Sequence, residues 1–131
     1  MIKKHLATQI SVMADPIYLE EESSPARDQF VWAYHITIKN TSTEAVRLRR
    51  RYWRITESRG VEQEITGDGV LGQEPLLKPG EIFMYTSGAL LSSPSGIMEG
   101  NYEMEDLQGE TFEVAIPPFS LDSPFDKSRV H

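Results

Sequence analysis

A chain of 131 residues holds one domain with a single core, and a 39% hydrophobic, 25% charged composition is that of an ordinary globular protein, too apolar for wholesale disorder. Thirteen basic residues against twenty acidic ones leave a formal charge of -7, which opposes sequence-independent binding to nucleic acid because that depends on neutralising phosphates. The absence of cysteine excludes disulfides, thiolate metal sites, iron-sulfur clusters and cysteine nucleophiles.

Met1 to Leu6 is basic at Lys3 and Lys4, but the chain turns polar at Thr8, Gln9 and Ser11 before a signal-peptide apolar core develops. No run approaches the ~20 apolar residues of a membrane span, so the expected location is cytoplasmic. Ile10 and Val12 alternate with polar neighbours, and Asp15-Pro16 predicts a strand broken at Pro16 or two short ones. Glu20 to Asp28 is a solvated acidic loop. Phe30, Trp32, Tyr34, Ile36 and Ile38 then share one parity, which predicts a long strand with one buried face. Asn40 to Glu44 is turn chemistry, and the Asn40-x-Ser42 match to a glycosylation acceptor has no secretory signal behind it.

Val46, Leu48 and Tyr52 lie on one parity, whereas Trp53 and Ile55 lie on the other. The phase therefore slips near Tyr52, predicting a β-bulge or a passage between sheets that buries both aromatics. Glu57-Ser58-Arg59-Gly60 reads as a hairpin turn, with Val61, Gln63 and Ile65 opening the partner strand. That strand runs into Gly67-Asp68-Gly69-Val70-Leu71-Gly72-Gln73-Glu74-Pro75, a Gly-x-Gly-x-x-Gly run. In a dinucleotide fold such glycines precede a helix whose N-terminus takes the pyrophosphate, but Pro75 and Pro79 leave no room for that helix. A long shaped loop remains.

Lys78-Pro79-Gly80 favours a type II turn. Glu81 to Thr86 is apolar on both parities, which predicts a strand covered on both sides. After an irregular Ser92 to Gly96, Met98, Tyr102 and Met104 alternate with Glu99, Glu103 and Glu105 as a strand with an acidic outer face. Gln108-Gly109 turns the chain, and Phe112, Val114 and Ile116 alternate until Pro117-Pro118 is expected to stop the sheet, with Phe119 and Leu121 tucking back. About seven strands and no amphipathic helix predict an all-β chain, a fibronectin type III or immunoglobulin-like β-sandwich, with a small barrel as second choice. The domain is expected to span residues 1–122, with 123–131 a flexible C-terminal tail.

The succession Arg51-x-Trp53-x-Ile55, Gly67-x-Gly69-Val70-x-Gly72-x-x-Pro75, Pro79-Gly80-Glu81, Tyr85-Thr86-Ser87-Gly88, Gly96-x-Met98-x-Gly100-x-Tyr102 and Ile116-Pro117-x-Phe119 resembles the ApaG family in order and spacing across most of the chain. The resemblance implies a fibronectin type III-like sandwich in bacterial proteins of this length, and related domains in F-box proteins and a polymerase-delta-interacting protein. It implies no catalytic activity. The family is linked to magnesium and cobalt efflux, and its name comes from an association with dinucleoside tetraphosphate metabolism. Tyr52 stands here where the family pattern leads one to expect histidine.

Candidate binding residues are Gly67, Gly69, Gly72 and Gln73 in the loop, with Arg51 and Arg54 from the cluster Arg47, Arg49, Arg50, Arg51 and Arg54. The glycines can serve simply as turn residues with positive φ, or form an amide nest for a carboxylate or phosphate beside Arg51 or Arg54. Asp68 and Glu74 oppose the nest. Strict alternation puts Arg47, Arg49 and Arg51 on one outer face, while Tyr52 and Trp53 are expected in the core. The three histidines have no ligand spacing, no nucleophile-elbow serine exists, and no acid-base pair stands out, so neither a metal, a cofactor nor an enzyme is expected. The expected function is a non-catalytic module that binds an unidentified protein partner, with self-association left open and nucleotide binding weak or absent. The alternative is a phosphate or dinucleoside polyphosphate sensor using Gly67 to Gly72, and a third reading is an accessory factor in cation homeostasis acting through a partner.

Overall fold

The computed structural model describes residues 4–125. A single helical turn, α1 (Lys4–Ala7), precedes β1 (Ile10–Tyr18), β2 (Phe30–Asn40), β3 (Val46–Glu57), β4 (Glu62–Asp68), β5 (Leu76–Leu77), β6 (Ile82–Leu91), β7 (Ser95–Asp106) and β8 (Thr111–Asp122). Every paired strand is antiparallel. One sheet runs β1-β2-β6 and the other β4-β3-β7-β8, with β5 rejoining β3 along the edge that β4 has left. Seven long strands, three facing four, form the expected fibronectin type III-like sandwich.

The core follows the alternation of β2 and β8. Phe30, Trp32, Tyr34, Ile36 and Ile38 face Trp53, Ile55, Met98, Tyr102, Met104, Val114 and Ile116 across the sandwich, all buried. Trp53 is the hub, making edge contacts with Tyr34 at 5.3 Å, Phe119 at 6.0 Å and Tyr102 at 6.4 Å between ring centroids. Leu6 of α1 is buried as well, an anchor that the polar sequence around it does not advertise. Asn40 is structural: its amide nitrogen donates to the carbonyls of Glu44 and Leu77, tying the turn after β2 to β5.

Four expectations are corrected. β1 is continuous through Pro16, paired with Tyr34, because β1 is an edge strand and a missing N–H on an edge costs no ladder bond. β8 likewise continues through Pro117-Pro118 to Asp122; the prolines sit on another edge, where the β7-β8 register shifts between Met98 and Gly100. The outer face of β6 is not covered, and Ile82, Met84 and Leu90 are exposed on it. The phase slip in β3 falls at Arg49, where its register against β7 shifts between Leu48 and Arg50, and not at Tyr52. Tyr52 consequently lies on the outer face, half-exposed, donating its hydroxyl to Glu64 Oε2 at 3.0 Å.

Beyond residue 122 the chain still packs: Ser123 is buried with its N–H on the Pro94 carbonyl, and the Phe125 ring lies against Tyr18 and Phe30. The remainder of the expected tail, 126–131, lies outside the described residues, as do residues 1–3.

Candidate functional site

The bulge at Arg49 decides what the basic cluster does. Before it, Val46 and Leu48 point inward and Arg47 outward; after it, Arg51, Trp53 and Ile55 take the inward parity, and Arg50, Tyr52 and Arg54 the outward one. Arg51 is thus not on the outer face with Arg47 and Arg49. It enters between the sheets at the open side of the sandwich, where the edge strands β4 and β6 face each other.

The glycine loop is an excursion from the same edge of β3. The chain leaves the ladder at Asp68, opposite Arg50, and returns at Leu76, opposite Arg47. It is pinned on both flanks by backbone bonds, Gly69 N–H to the Arg49 carbonyl at 2.7 Å and Leu48 N–H to the Pro75 carbonyl at 3.0 Å. The bulge and the loop therefore fit one another. Between these anchors Val70 and Gln73 exchange two N–H to carbonyl bonds of 2.9 Å, and the buried Val70 side chain plugs the loop onto the core. Gly69 has φ +59° and a Cβ there would fall 2.1 Å from the Gln73 carbonyl oxygen, so the turn closes only around glycine.

Arginines hold this loop in place. Arg47 donates to the Glu74 carbonyl at 2.7 Å, Arg49 pairs with the Glu74 carboxylate at 3.0 Å, and Arg50 lies 3.7 Å from Asp68. Each loop acid, which from sequence opposed an anion site, thus has its own arginine. Arg51 differs. Its Nη1 donates to the carbonyls of Asp68 at 3.2 Å and Gly69 at 2.9 Å, and its guanidinium lies so close over Gly67 that a Cβ would sit 2.7 Å from Nη1. Neutral carbonyls orient the guanidinium without cancelling its charge, and among the described residues no carboxylate pairs with it.

Arg51 lines a cavity of about 270 Å³ together with Tyr34, Trp53, Tyr85 and Ser87 on the sandwich side and Gly67, Asp68, Val70, Leu71 and Gly72 on the loop side. The groups on the sandwich side are hydrogen-bond donors. Burial raises the Tyr34 phenol above its ordinary value despite the opposing Ser87 hydroxyl and Arg51, and pushes Tyr85 up to about 12, although its bond to Tyr102 lowers it. Both therefore remain protonated at neutral pH. The indole N–H of Trp53, buried in the same wall, makes no well-formed hydrogen bond among the described residues; the Tyr85 hydroxyl is the acceptor near it, close enough to favour the Tyr85 phenolate slightly. An unsatisfied buried donor of this kind costs ~1–3 kcal/mol.

Of the residues expected from sequence, Arg51, Gly67, Gly69 and Gly72 come together here. Arg54 does not; it is on the outer face, 3.6 Å from Glu62. Gln73 closes the loop through its backbone while its side chain is exposed. The amide nest is not formed from Gly69, Val70 and Gln73, whose N–H groups are all spent on backbone carbonyls. Sequence reasoning missed Tyr34, Tyr85 and Ser87, and the signal available was a pair of inward-parity tyrosines whose hydroxyls need somewhere polar to go.

A model of the ApaG domain matches residues 20–106. A protein ApaG from Parvibaculum lavamentivorans is 56% identical over 126 residues, 96% of this chain and 97% of the relative. The chain belongs to the ApaG family. An ApaG protein from Paramagnetospirillum magneticum is 51% identical over 93% of this chain and 94% of its own length. The crystal structure of a Bordetella pertussis protein, described as a putative ApaA protein, superposes with a TM-score of 0.85 at 42% identity, covering 88% of this chain and 94% of that one. The ApaG family match and the sandwich thus agree. No helix among the described residues is long and apolar enough to cross a membrane.

Proposed function

We propose that this ApaG-family chain is a non-catalytic binding module that engages a protein partner through the glycine-loop end of its sandwich. The observation that carries the reading is Leu71. At the tip of a loop pinned on both flanks, this leucine is 62% exposed and held at φ +49°, a left-handed conformation that glycine would adopt with less strain. A large apolar side chain in a strained, solvent-facing position, beside an arginine that no carboxylate among the described residues pairs with, has the composition of an interface anchor. The rigid edges of β3 and β4 present it, as scaffolds commonly present functional loops.

Leu71→Gly tests this. It removes the apolar tip and relieves the backbone, so melting should stay level or rise slightly while capture of a partner from cell extract falls. A variant that captures the same proteins in the same yield as the parent removes the loop from the interface. The phosphate-sensor reading draws on Arg51 alone. Nucleotide binding no tighter than roughly millimolar is expected, since no helix N-terminus follows the loop and the net charge repels polyanions. Calorimetry with ATP or a dinucleoside polyphosphate at micromolar affinity would reverse the order of the two readings. On the protein-partner reading, a role in magnesium or cobalt homeostasis runs through the partner.

A further inference from the structure

The cavity beside Leu71 has a chemistry more specific than a general interface. Its polar lining on the sandwich side consists of the Arg51 guanidinium, the Tyr34 and Tyr85 phenols, the Ser87 hydroxyl and the Trp53 indole. Three loop carbonyls near it are already engaged: those of Asp68 and Gly69 by Arg51, and that of Gln73 by Val70. The Asp68 carboxylate, on the rim, faces Arg50. What the cavity lacks is an acceptor carrying negative charge.

We infer that this cavity is a receptor for one carboxylate of the protein partner, a chain end or an acidic side chain, with Arg51 as its charge partner and Tyr34, Ser87 and Trp53 as the neutral donors around it. The inference rests on the proposed partner-binding function and specifies the group that the partner inserts. Two oxygens of one carboxylate can meet a guanidinium and a hydroxyl together, beside the Trp53 and Tyr34 rings, which pack edge to face on each other in the cavity wall. One net positive charge matches one carboxylate. A phosphate group carries close to two negative charges, and a protein of net charge -7 with one arginine at the site left unpaired among the described residues compensates only half of them. The Trp53 N–H, buried in this wall and without a well-formed hydrogen bond among the described residues, is the sign that the lining is incomplete in the isolated chain.

The test is a titration followed by the two tryptophan indole N–H resonances of the full-length protein, assigned with Trp32→Phe. N-acetylglycine stands for a chain end, N-acetylglutamate α-amide for an acidic side chain, and N-acetylglycinamide for the neutral isostere, with inorganic phosphate alongside. Either carboxylate should shift the Trp53 resonance saturably while Trp32 stays still, and the stronger of the two identifies the source. The neutral amide should do nothing. Arg51→Gln should weaken the carboxylate about tenfold or more, and Tyr34→Phe, which keeps the ring against Trp53, should weaken it several-fold while the protein stays folded. Equal responses to acid and amide, no response to either acid, or tighter binding of phosphate each overturn the inference. Failure here with loop-dependent partner capture intact leaves the interface reading standing without its carboxylate. Carboxylate binding with capture indifferent to Leu71→Gly would instead retain the receptor and remove the protein partner.

Discussion

Replacing Gly69 by alanine separates the two jobs glycine does in this loop. Gly69 and Gly72 both lie at positive φ, +59° and +76°, so either substitution puts a Cβ in the left-handed region at ~1–2 kcal/mol. Their surroundings differ. A Cβ at Gly72 meets nothing within 4 Å, whereas one at Gly69 would lie 2.1 Å from the Gln73 carbonyl oxygen, and that atom is backbone and cannot swing aside. Relieving the clash means opening the turn, which breaks the paired Val70-Gln73 bonds and loosens the Gly69 bond to Arg49. At ~0.5–1.5 kcal/mol for each bond, losing two adds ~1–3 kcal/mol for Gly69→Ala that Gly72→Ala does not incur. Urea unfolding of the parent and both variants measures this directly through the midpoints at a common slope. Two variants destabilised by the same amount would show that the close approach of Gly69 to Gln73 is not part of the folded loop in solution.

Tyr85→Phe leaves the buried Tyr102 hydroxyl without its partner and should cost ~1–3 kcal/mol, while the double change to phenylalanine at both positions should cost less than the two single changes added together; strict additivity would mean the hydroxyls do not bond. Burial opposes ionisation of Glu57, but hydrogen bonds from Gln63, Ser92 and Ser93 outweigh it and hold the carboxyl below the usual range. The ionised clamp therefore adds stability above the unfolded pKa of ~4.3 and loses it as pH falls through the lower folded value, so Glu57→Gln should flatten the acid limb of a stability-pH curve. Trp32 and Trp53, 4% and 1% exposed, should both resist iodide quenching; two tryptophans quenching like a free indole would contradict the assigned core.

The fold was legible because the longest strands keep strict period two. Phe30 to Ile38 and Phe112 to Ile116 bury alternate residues as their sequences imply, and the turn glycines Gly60, Gly80 and Gly109 all take positive φ. What misled was proline. Pro16 and Pro117-Pro118 read as terminators, yet whether a strand tolerates proline depends on whether its N–H faces a neighbour, and edge position is a property of the sheet order, not of the local sequence. The two-sided apolarity of β6 misled in the opposite sense, since nothing in Ile82 to Tyr85 says that the outer face goes uncovered.

The site was half legible for a reason located in one residue. Alternation through Arg47, Arg49 and Arg51 predicts one basic outer face, and the apolar pattern does place a slip in this strand, but Tyr52 is amphipathic enough to sit on either side and drew the slip three residues too far along. Moving it to Arg49 reverses Arg51 alone among the three. That reversal carries a guanidinium inside, across from Tyr34 and Tyr85 of the other sheet, and Gly67 is the residue that makes room for it. The same bulge leaves the Arg49 carbonyl free to take Gly69 N–H, so the glycine motif and the arginine cluster, two separate features in the sequence, are one construction in the fold. A bulge that both aims a side chain inward and anchors the loop facing it couples the two. Changes to the loop backbone should thus be felt as changes in where Arg51 points before they are felt as loss of the sandwich.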